Sequence, residues 1–279
     1  MARPQAPPVP IRRWSAGGWT ELDDRVAAEE PLQLSLNGKP LSIVMRTPGA
    51  DVELALGLLL AEKVIASLDD VKLVRISAES GESEVRLRLE ADLIESNQVD
   101  VCLTGEAGRL PERSFLSSSA CGVCGATTVE SLRLDFPRLP GGPLVAASRL
   151  PPLAERLREG QAVFEATGGL HAAGLFSPEG SLLVAREDVG RHNAVDKVVG
   201  RQLLDGNLPA SNTVLAVSGR AGYEVVQKAI AAGIPMLVSV GAPSSLAVRT
   251  ALAFDLTLVG FLKHDRFNVY SGPERLSSD

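Results

Sequence analysis

The sequence predicts a layered α/β fold with a mixed sheet, preceded by a smaller N-terminal α+β part. Three observations carry that prediction. From Leu150 onward, short apolar runs alternate with helical stretches at a spacing that suits parallel strands covered by helices. Earlier in the chain, apolar and polar residues alternate on both sides of Asn37-Gly38, which marks an antiparallel hairpin. The 279 residues are 45% hydrophobic and 22% charged, a composition that excludes a disordered or low-complexity chain.

Residues 1–13 are proline-rich and basic and read as a disordered tail. Residues 14–143 form the α+β part and residues 144–279 the α/β part. Strands are expected at 32–36 and 41–44, with Pro40 restricting the second to a sheet edge or a late start. Arg46-Thr47-Pro48-Gly49 closes the hairpin. A Leu- and Ala-rich helix follows over about 51–65, with Asp51 and Glu53 at its positive end. Strands at 71–76 and 84–89 complete a mostly antiparallel unit. Residues 110–128, with Pro111 and a run of serines, read as an exposed loop, and the prolines and glycines of 137–143 mark a break. Beyond it, helices are expected near 153–164, 194–204, 223–231 and 245–254. Strands are expected near 170–175, 181–185, 213–217, 235–240 and 256–261.

Several classes of function are excluded at the outset. A formal charge of -6 argues against a broad basic face for nucleic acid, and 4% aromatics argue against stacked single-strand platforms. The proline-broken start is not a secretory signal, and the longest apolar run, near 54–61, is too short to span a bilayer. Three cysteines (Cys102, Cys121, Cys124) do not make a disulfide framework for a chain this long. The expected setting is the cytoplasm, with no membrane and no nucleic-acid partner.

Three loops of small residues adjoin strands: Thr167-Gly168-Gly169, Ser218-Gly219-Arg220-Ala221-Gly222, and Gly241-Ala242-Pro243-Ser244-Ser245. The last two precede helices, whose N-termini favour anions, and Arg220 adds a permanent cation. None has a dinucleotide or P-loop pattern. Small residues also simply permit tight turns, but three such loops beside basic residues favour phosphate binding. The run from Arg186 to Lys197 is dense in polar groups. It reads either as a pocket wall or as a capped helix start, with Asp188 or Asn193 as cap and Glu187/Arg191 as a solvated pair. Near the C-terminus, Phe261, Lys263, His264, Arg266, Phe267 and Tyr270 concentrate rare aromatics with cations, a set able to stack on a ring and neutralise phosphate.

Cys121-Gly122-Val123-Cys124 is a C-x-x-C flanked by small residues. It lacks the partners of a zinc site, since no second pair exists. It also lacks the zinc-deaminase pattern: His171 and His192 are not followed by x-Glu, and Ala120 stands where that pattern has proline. A thioredoxin-type motif starts a helix directly after a strand, which residues 114–120 do not suggest. Persulfide chemistry on a mobile loop is the third reading, and spacing alone does not separate it from dithiol redox chemistry. Cys102, after Val101, reads as packing.

The sequence resembles the formate dehydrogenase accessory sulfurtransferase family, FdhD. The matching phrases run through most of the chain: Arg46-Thr47-Pro48-Gly49, Glu53-Leu54-Ala55-Leu56-Gly57, Ser118-Ser119-Ala120-Cys121-Gly122-Val123-Cys124-Gly125, and Thr167-Gly168-Gly169-Leu170-His171. They continue through the run from Arg186 to Lys197, Ser218-Gly219-Arg220, Gly241-Ala242-Pro243-Ser244 and Arg266-Phe267-Asn268-Val269-Tyr270. The resemblance implies a cytoplasmic homodimeric sulfur carrier, with a cytidine-deaminase-like α/β domain and no structural metal. It implies that Cys121 takes a persulfide from a cysteine desulfurase, with Cys124 assisting, and passes the sulfur to a molybdenum bis-guanine-dinucleotide cofactor for formate dehydrogenase. Its cofactor-contact segment maps onto Phe261, Leu262, Lys263, His264, Asp265 and Arg266. With the small-residue loops, this makes Ser218, Gly219, Arg220 and Gly241 further expected contacts, and GDP a partial mimic of the cofactor. Lys263 stands where the family pattern has arginine; lysine keeps the charge but loses the planar fork. Two rival readings are a nucleotide-cofactor chaperone without covalent sulfur transfer and a dithiol oxidoreductase.

Overall fold

The computed structural model describes residues 4–78, 81–85, 97–105 and 136–278. Two strands, β1 (Pro8–Ser15) and β2 (Gly18–Arg25), form a hairpin that, among the described residues, joins no other sheet. Trp14 lies opposite Trp19 with ring centroids 5.5 Å apart, and the Arg12 guanidinium stands 5.5 Å from the Trp19 ring. The expected tail of 1–13 is therefore corrected from Pro8 onward. Prolines suggest disorder in composition, yet at a free strand edge they cost no ladder bond, and the cross-strand indole pair supports the register.

The next hairpin is as expected. Strands β3 (Glu30–Leu36) and β4 (Lys39–Arg46) meet through Asn37 and Gly38, whose φ values of 52° and 77° are the left-handed pair that a tight hairpin turn requires. Pro40 lies in β4, which is an edge strand. Helix α1 (Asp51–Ala61) stops before the expected 65, and Lys63 has the positive φ of 58° that turns the chain. Strands β5 (Val71–Ala78), β6 (Gly81–Val85) and β7 (Gln98–Leu103) follow, giving a five-stranded sheet of order β4-β3-β7-β5-β6. Of the strand expected at 84–89, residues 86–89 lie outside the described residues. Strand β7 went unexpected; it inserts between β3 and β5, parallel to β3 and antiparallel to β5.

The second half begins with a short β8 (Val145–Ala146), then α2 (Pro152–Glu159) and α3 (Ala162–Thr167), a helical stretch broken at Gly160. Strands β9 (His171–Phe176) and β10 (Leu182–Asp188) precede α4 (Arg191–Leu204). Alternation then sets in: β11 (Val214–Val217), α5 (Tyr223–Ala231), β12 (Met236–Ser239), α6 (Ser245–Ala253), β13 (Thr257–Gly260). Strand β14 (Asn268–Ser271) closes the sheet and β15 (Leu276–Ser277) pairs with β8. The six strands run in the order β10-β9-β11-β12-β13-β14. Strands β11, β12 and β13 are mutually parallel, and β9, β10 and β14 pair antiparallel, so the sheet is mixed as predicted.

Period-two alternation divides this sheet between two cores. Leu153 and Leu157 pack with Phe176, Val214, Ala216, Met236, Val238 and Val259 on one face. Leu175, Leu215, Val217, Leu237 and Leu258 face the other way, into a core shared with α1, α4 and the N-terminal sheet. Within it α1 and α4 cross at backbone contact. A Cβ on Gly57 would land on the Asp196 carbonyl, and a Cβ on Gly200 would land on the Glu53 carbonyl. Two glycines, each the i+4 partner of the residue the other touches, thus set the closest approach in the molecule's centre.

Candidate functional site

The carboxyl ends of β11, β12 and β13 lead into three loops that the backbone ties side by side. Gly241 N–H donates to the Gly219 carbonyl (3.0 Å), Phe261 N–H to the Gly241 carbonyl (3.0 Å), and Ser244 N–H to the Ala221 carbonyl (3.0 Å). The ladder therefore continues past the strands, and the loops converge where open α/β sheets receive ligands. Gly241 is required there: an added Cβ would lie 3.0 Å from the Gly219 carbonyl oxygen and 3.1 Å from Arg220 Cα. Phe261, at φ 54°, turns the chain into a loop closed by Lys263 N–H donating to the Arg266 carbonyl at 2.8 Å.

This crest carries the expected cations. Arg220, Lys263 and Arg266 are exposed, as are Phe261, His264 and Asp265. Asp265 lies 3.7 Å from Arg266 and 3.6 Å from His264 across solvent, whereas Arg220 has no ion pair among the described residues. Leu262 departs from the expectation of a ligand contact: its side chain is 2% exposed and roots the loop in the core. The helix starts also differ. The N-cap of α5, Gly222, contributes no side-chain cap, whereas at α6 the Ser244 hydroxyl accepts from Ala247 N–H (3.2 Å), satisfying one donor expected for an anion.

Beside the crest lies a cavity of about 640 Å³, of small-molecule size, bordered by Gln161, Phe164, Gly169, His171, Ser218 and Val240. The Ser218 hydroxyl accepts from Ala172 N–H (2.9 Å), and Ser218 N–H donates to the Ala172 carbonyl (2.9 Å), which fixes β11 against β9. Burial, aided by the nearby charges of Arg191 and His192, holds the His171 imidazole below its usual range, so the ring is neutral. The Arg158 guanidinium lies 4.5 Å from the Phe164 ring. Gly168, at φ 68°, is the left-handed C-cap of α3, so the Thr167-Gly168-Gly169 phrase ends a helix and walls the cavity.

The polar run from Arg186 to Lys197 joins the two halves of the molecule. Asp188, fully buried, accepts from Lys197 Nζ (2.8 Å), Asn193 Nδ2 (2.8 Å), Gly190 N–H (2.8 Å) and Thr47 N–H (3.2 Å). Arg186 makes a bidentate pair with Glu53 (2.6 and 2.7 Å), and Arg46 one with Asp51 (2.8 and 3.0 Å). Lys228 binds Asp196 at 2.7 Å beneath the helix crossing. Buried charges persist only when paired in this way. The expected Glu187/Arg191 pair is replaced by a different contact: Glu187 accepts from Val163 N–H (3.0 Å) and Phe164 N–H (2.7 Å), capping α3 from 24 residues away. The cap of α4 is Gly190, not Asp188 or Asn193.

The comparisons with known proteins agree with this organisation. The model of the FdhD/NarQ family matches residues 27–277. The chain belongs to the FdhD/NarQ family. Sulfur carrier protein FdhD of Nocardia farcinica is 46% identical over 270 residues, covering 96% of this chain and 94% of that protein. The protein of the same name from Streptomyces avermitilis is 47% identical over 272 residues, covering 94% of this chain and 92% of its own. The crystal structure of a chain described as a formate dehydrogenase accessory protein, from Desulfotalea psychrophila, matches with a TM-score of 0.75 at 26% identity, covering 98% of this chain and all of that one.

Of the sites expected in this FdhD/NarQ chain, Cys121 and Cys124, with the whole of loop 110–128, lie outside the described residues. Cys102 is half-buried on β7, 3.7 Å from Asp100, and burial pushes its thiol up, away from the reactive thiolate. Among the described residues, no helix is long and apolar enough to cross a membrane. Sequence reasoning missed Gln161, Phe164 and Arg158, whose place at the cavity depends on where α3 lies against β9.

Proposed function

We propose that the chain carries sulfur from a cysteine desulfurase to a molybdenum bis-guanine-dinucleotide cofactor needed by formate dehydrogenase. Full-length relatives named sulfur carrier proteins support the class of function. In the first step the Cys121 thiolate attacks the outer sulfur of the desulfurase persulfide. The donor's S–S bond breaks, its thiolate leaves, and Cys121 becomes a persulfide. Attack by Cys124 on the inner sulfur then releases the outer one as sulfide to the cofactor, leaving a Cys121–Cys124 disulfide for a cellular dithiol to reduce. The protein works in the cytoplasm as a homodimer.

The crest is the observation that carries the nucleotide half of this reading. Three tied loops at the parallel strand ends present Arg220, Lys263 and Arg266 to solvent, a field suited to pyrophosphate. Lys263 acts there as a point charge, while the arginines offer forked contact. Complementation of a strain lacking the gene separates cysteine chemistry from a chaperone. Cys121→Ala restores no formate dehydrogenase activity if sulfur is carried covalently; full rescue would leave a cofactor chaperone that needs no cysteine.

A further inference from the structure

We propose that the cavity beside the crest takes the heterocyclic end of the bound nucleotide, read through the carboxamide of Gln161. The inference rests on the nucleotide-cofactor reading above. Gln161 is 5% exposed, lines the cavity, and its carboxamide has no hydrogen-bond partner among the described residues. It is the N-cap residue of α3, where a side chain ordinarily binds the first-turn N–H groups. Here Glu187 takes Val163 N–H and Phe164 N–H, which frees the carboxamide from that task. The Gln161 amide atoms are not among the buried unsatisfied ones of the described residues, where Ser42 Oγ stands alone, so they open onto the cavity and give an entering ligand one donor group and one acceptor to complete.

The other groups define what fits. His171 is neutral and offers one donor and one acceptor. The Ser218 oxygen is engaged by Ala172 N–H, which leaves its O–H to donate. Leu157, Leu170, Phe164 and Val240 supply apolar walls for a flat ring. Gln161, His171 and Ser218 suit a neutral ring; Arg158 and Glu155, which also border the cavity, add one charge of each sign, and the cations of the crest suit the phosphates. Ser218 and Val240 directly precede Gly219 and Gly241, so cavity and crest are contiguous. A carboxamide pairs through two hydrogen bonds with an HN–C=O edge. In the proposed cargo both guanine and pterin carry that edge, as part of a 2-amino-4-oxopyrimidine.

Calorimetry with GDP, guanosine and neopterin tests the assignment. Gln161→Leu is expected to weaken GDP by roughly ten- to hundredfold, as the loss of two neutral hydrogen bonds implies. Guanosine should weaken by the same factor; a variant that loses neopterin while GDP and guanosine are unaffected would give the cavity to the pterin and overturn the assignment to the nucleotide's base. Gln161→Glu accepts from the ring N–H and the 2-amino group and should retain GDP, which excludes a folding defect as the cause. If wild type binds GDP and Gln161→Leu binds it equally well, the assignment fails while the nucleotide reading stands. If wild type binds none of the three, both fail.

Discussion

Arg220 stands at the end of β11 with its guanidinium in solvent, next to the glycine whose carbonyl ties two loops together. A charge-assisted contact of this kind contributes about 1.5–3 kcal/mol, so Arg220→Ala should weaken GDP by roughly ten- to hundredfold. Guanosine, which lacks phosphate, should bind both proteins alike; equal GDP affinity in a folded variant would remove Arg220 from the phosphate site. His171 gives a pH signature. Its folded-state value lies below the ordinary 6.5, so the unfolded chain takes up the proton first as pH falls. Stability is therefore expected to drop as pH passes below the ordinary histidine value, and to stop dropping on this account below the folded one. Titration of the His171 ring by NMR should show a midpoint under that of a free histidine, and His171→Gln should flatten this part of the stability profile. The places of Arg220 and Gly241 at the crest were legible because a cation and a glycine at a strand end mark a loop locally. Gln161 was not, because its freedom depends on Glu187, 26 positions later, occupying the helix start.

Helices α1 and α4 show how much an element can hide in its sequence. The Leu- and Ala-rich run was legible as a helix, but nothing local shows why Gly57 stands in it. The crossing explains it: neither Gly57 nor Gly200 has room for a methyl group against the facing backbone. Backbone cannot yield as a side-chain tip does, so Gly57→Ala or Gly200→Ala should each cost at least about 3 kcal/mol, the upper end of overpacking penalties. Chemical denaturation measures this directly; a loss under about 1 kcal/mol, the ordinary effect of a tolerated substitution, would mean that the helices stand further apart. Strands were legible where alternation met a turn signal, as around Asn37-Gly38. Strand β7 was missed although Val99 and Val101 alternate with polar neighbours, because its partners β3 and β5 lie elsewhere in the chain and no turn announces it. The β1–β2 hairpin was missed because proline content outweighed the pairing of Trp14 with Trp19.

At the scale of the whole molecule, two polar phrases more than a hundred residues apart lock together. Arg46, Thr47 and Glu53 meet Arg186, Asp188 and Lys197 in a buried network that fixes the N-terminal sheet against the α/β layer. The sequence shows both phrases but not their partnership, since ion pairing across 133 positions has no local signature. The layered class and the convergence of strand-end loops were legible, because alternating elements and small residues repeat in order along the second half. The result sets a cation-bearing crest beside a cavity, on a chain whose C-x-x-C carries the proposed chemistry. Covalent sulfur on Cys121 is the central claim. Intact-mass and peptide spectra of the protein after incubation with a cysteine desulfurase and cysteine test it most directly. The account predicts one added sulfur on the Cys121 peptide, removable by dithiol and absent from Cys121→Ala; a wild-type protein that gains none, beside an active desulfurase, would contradict it.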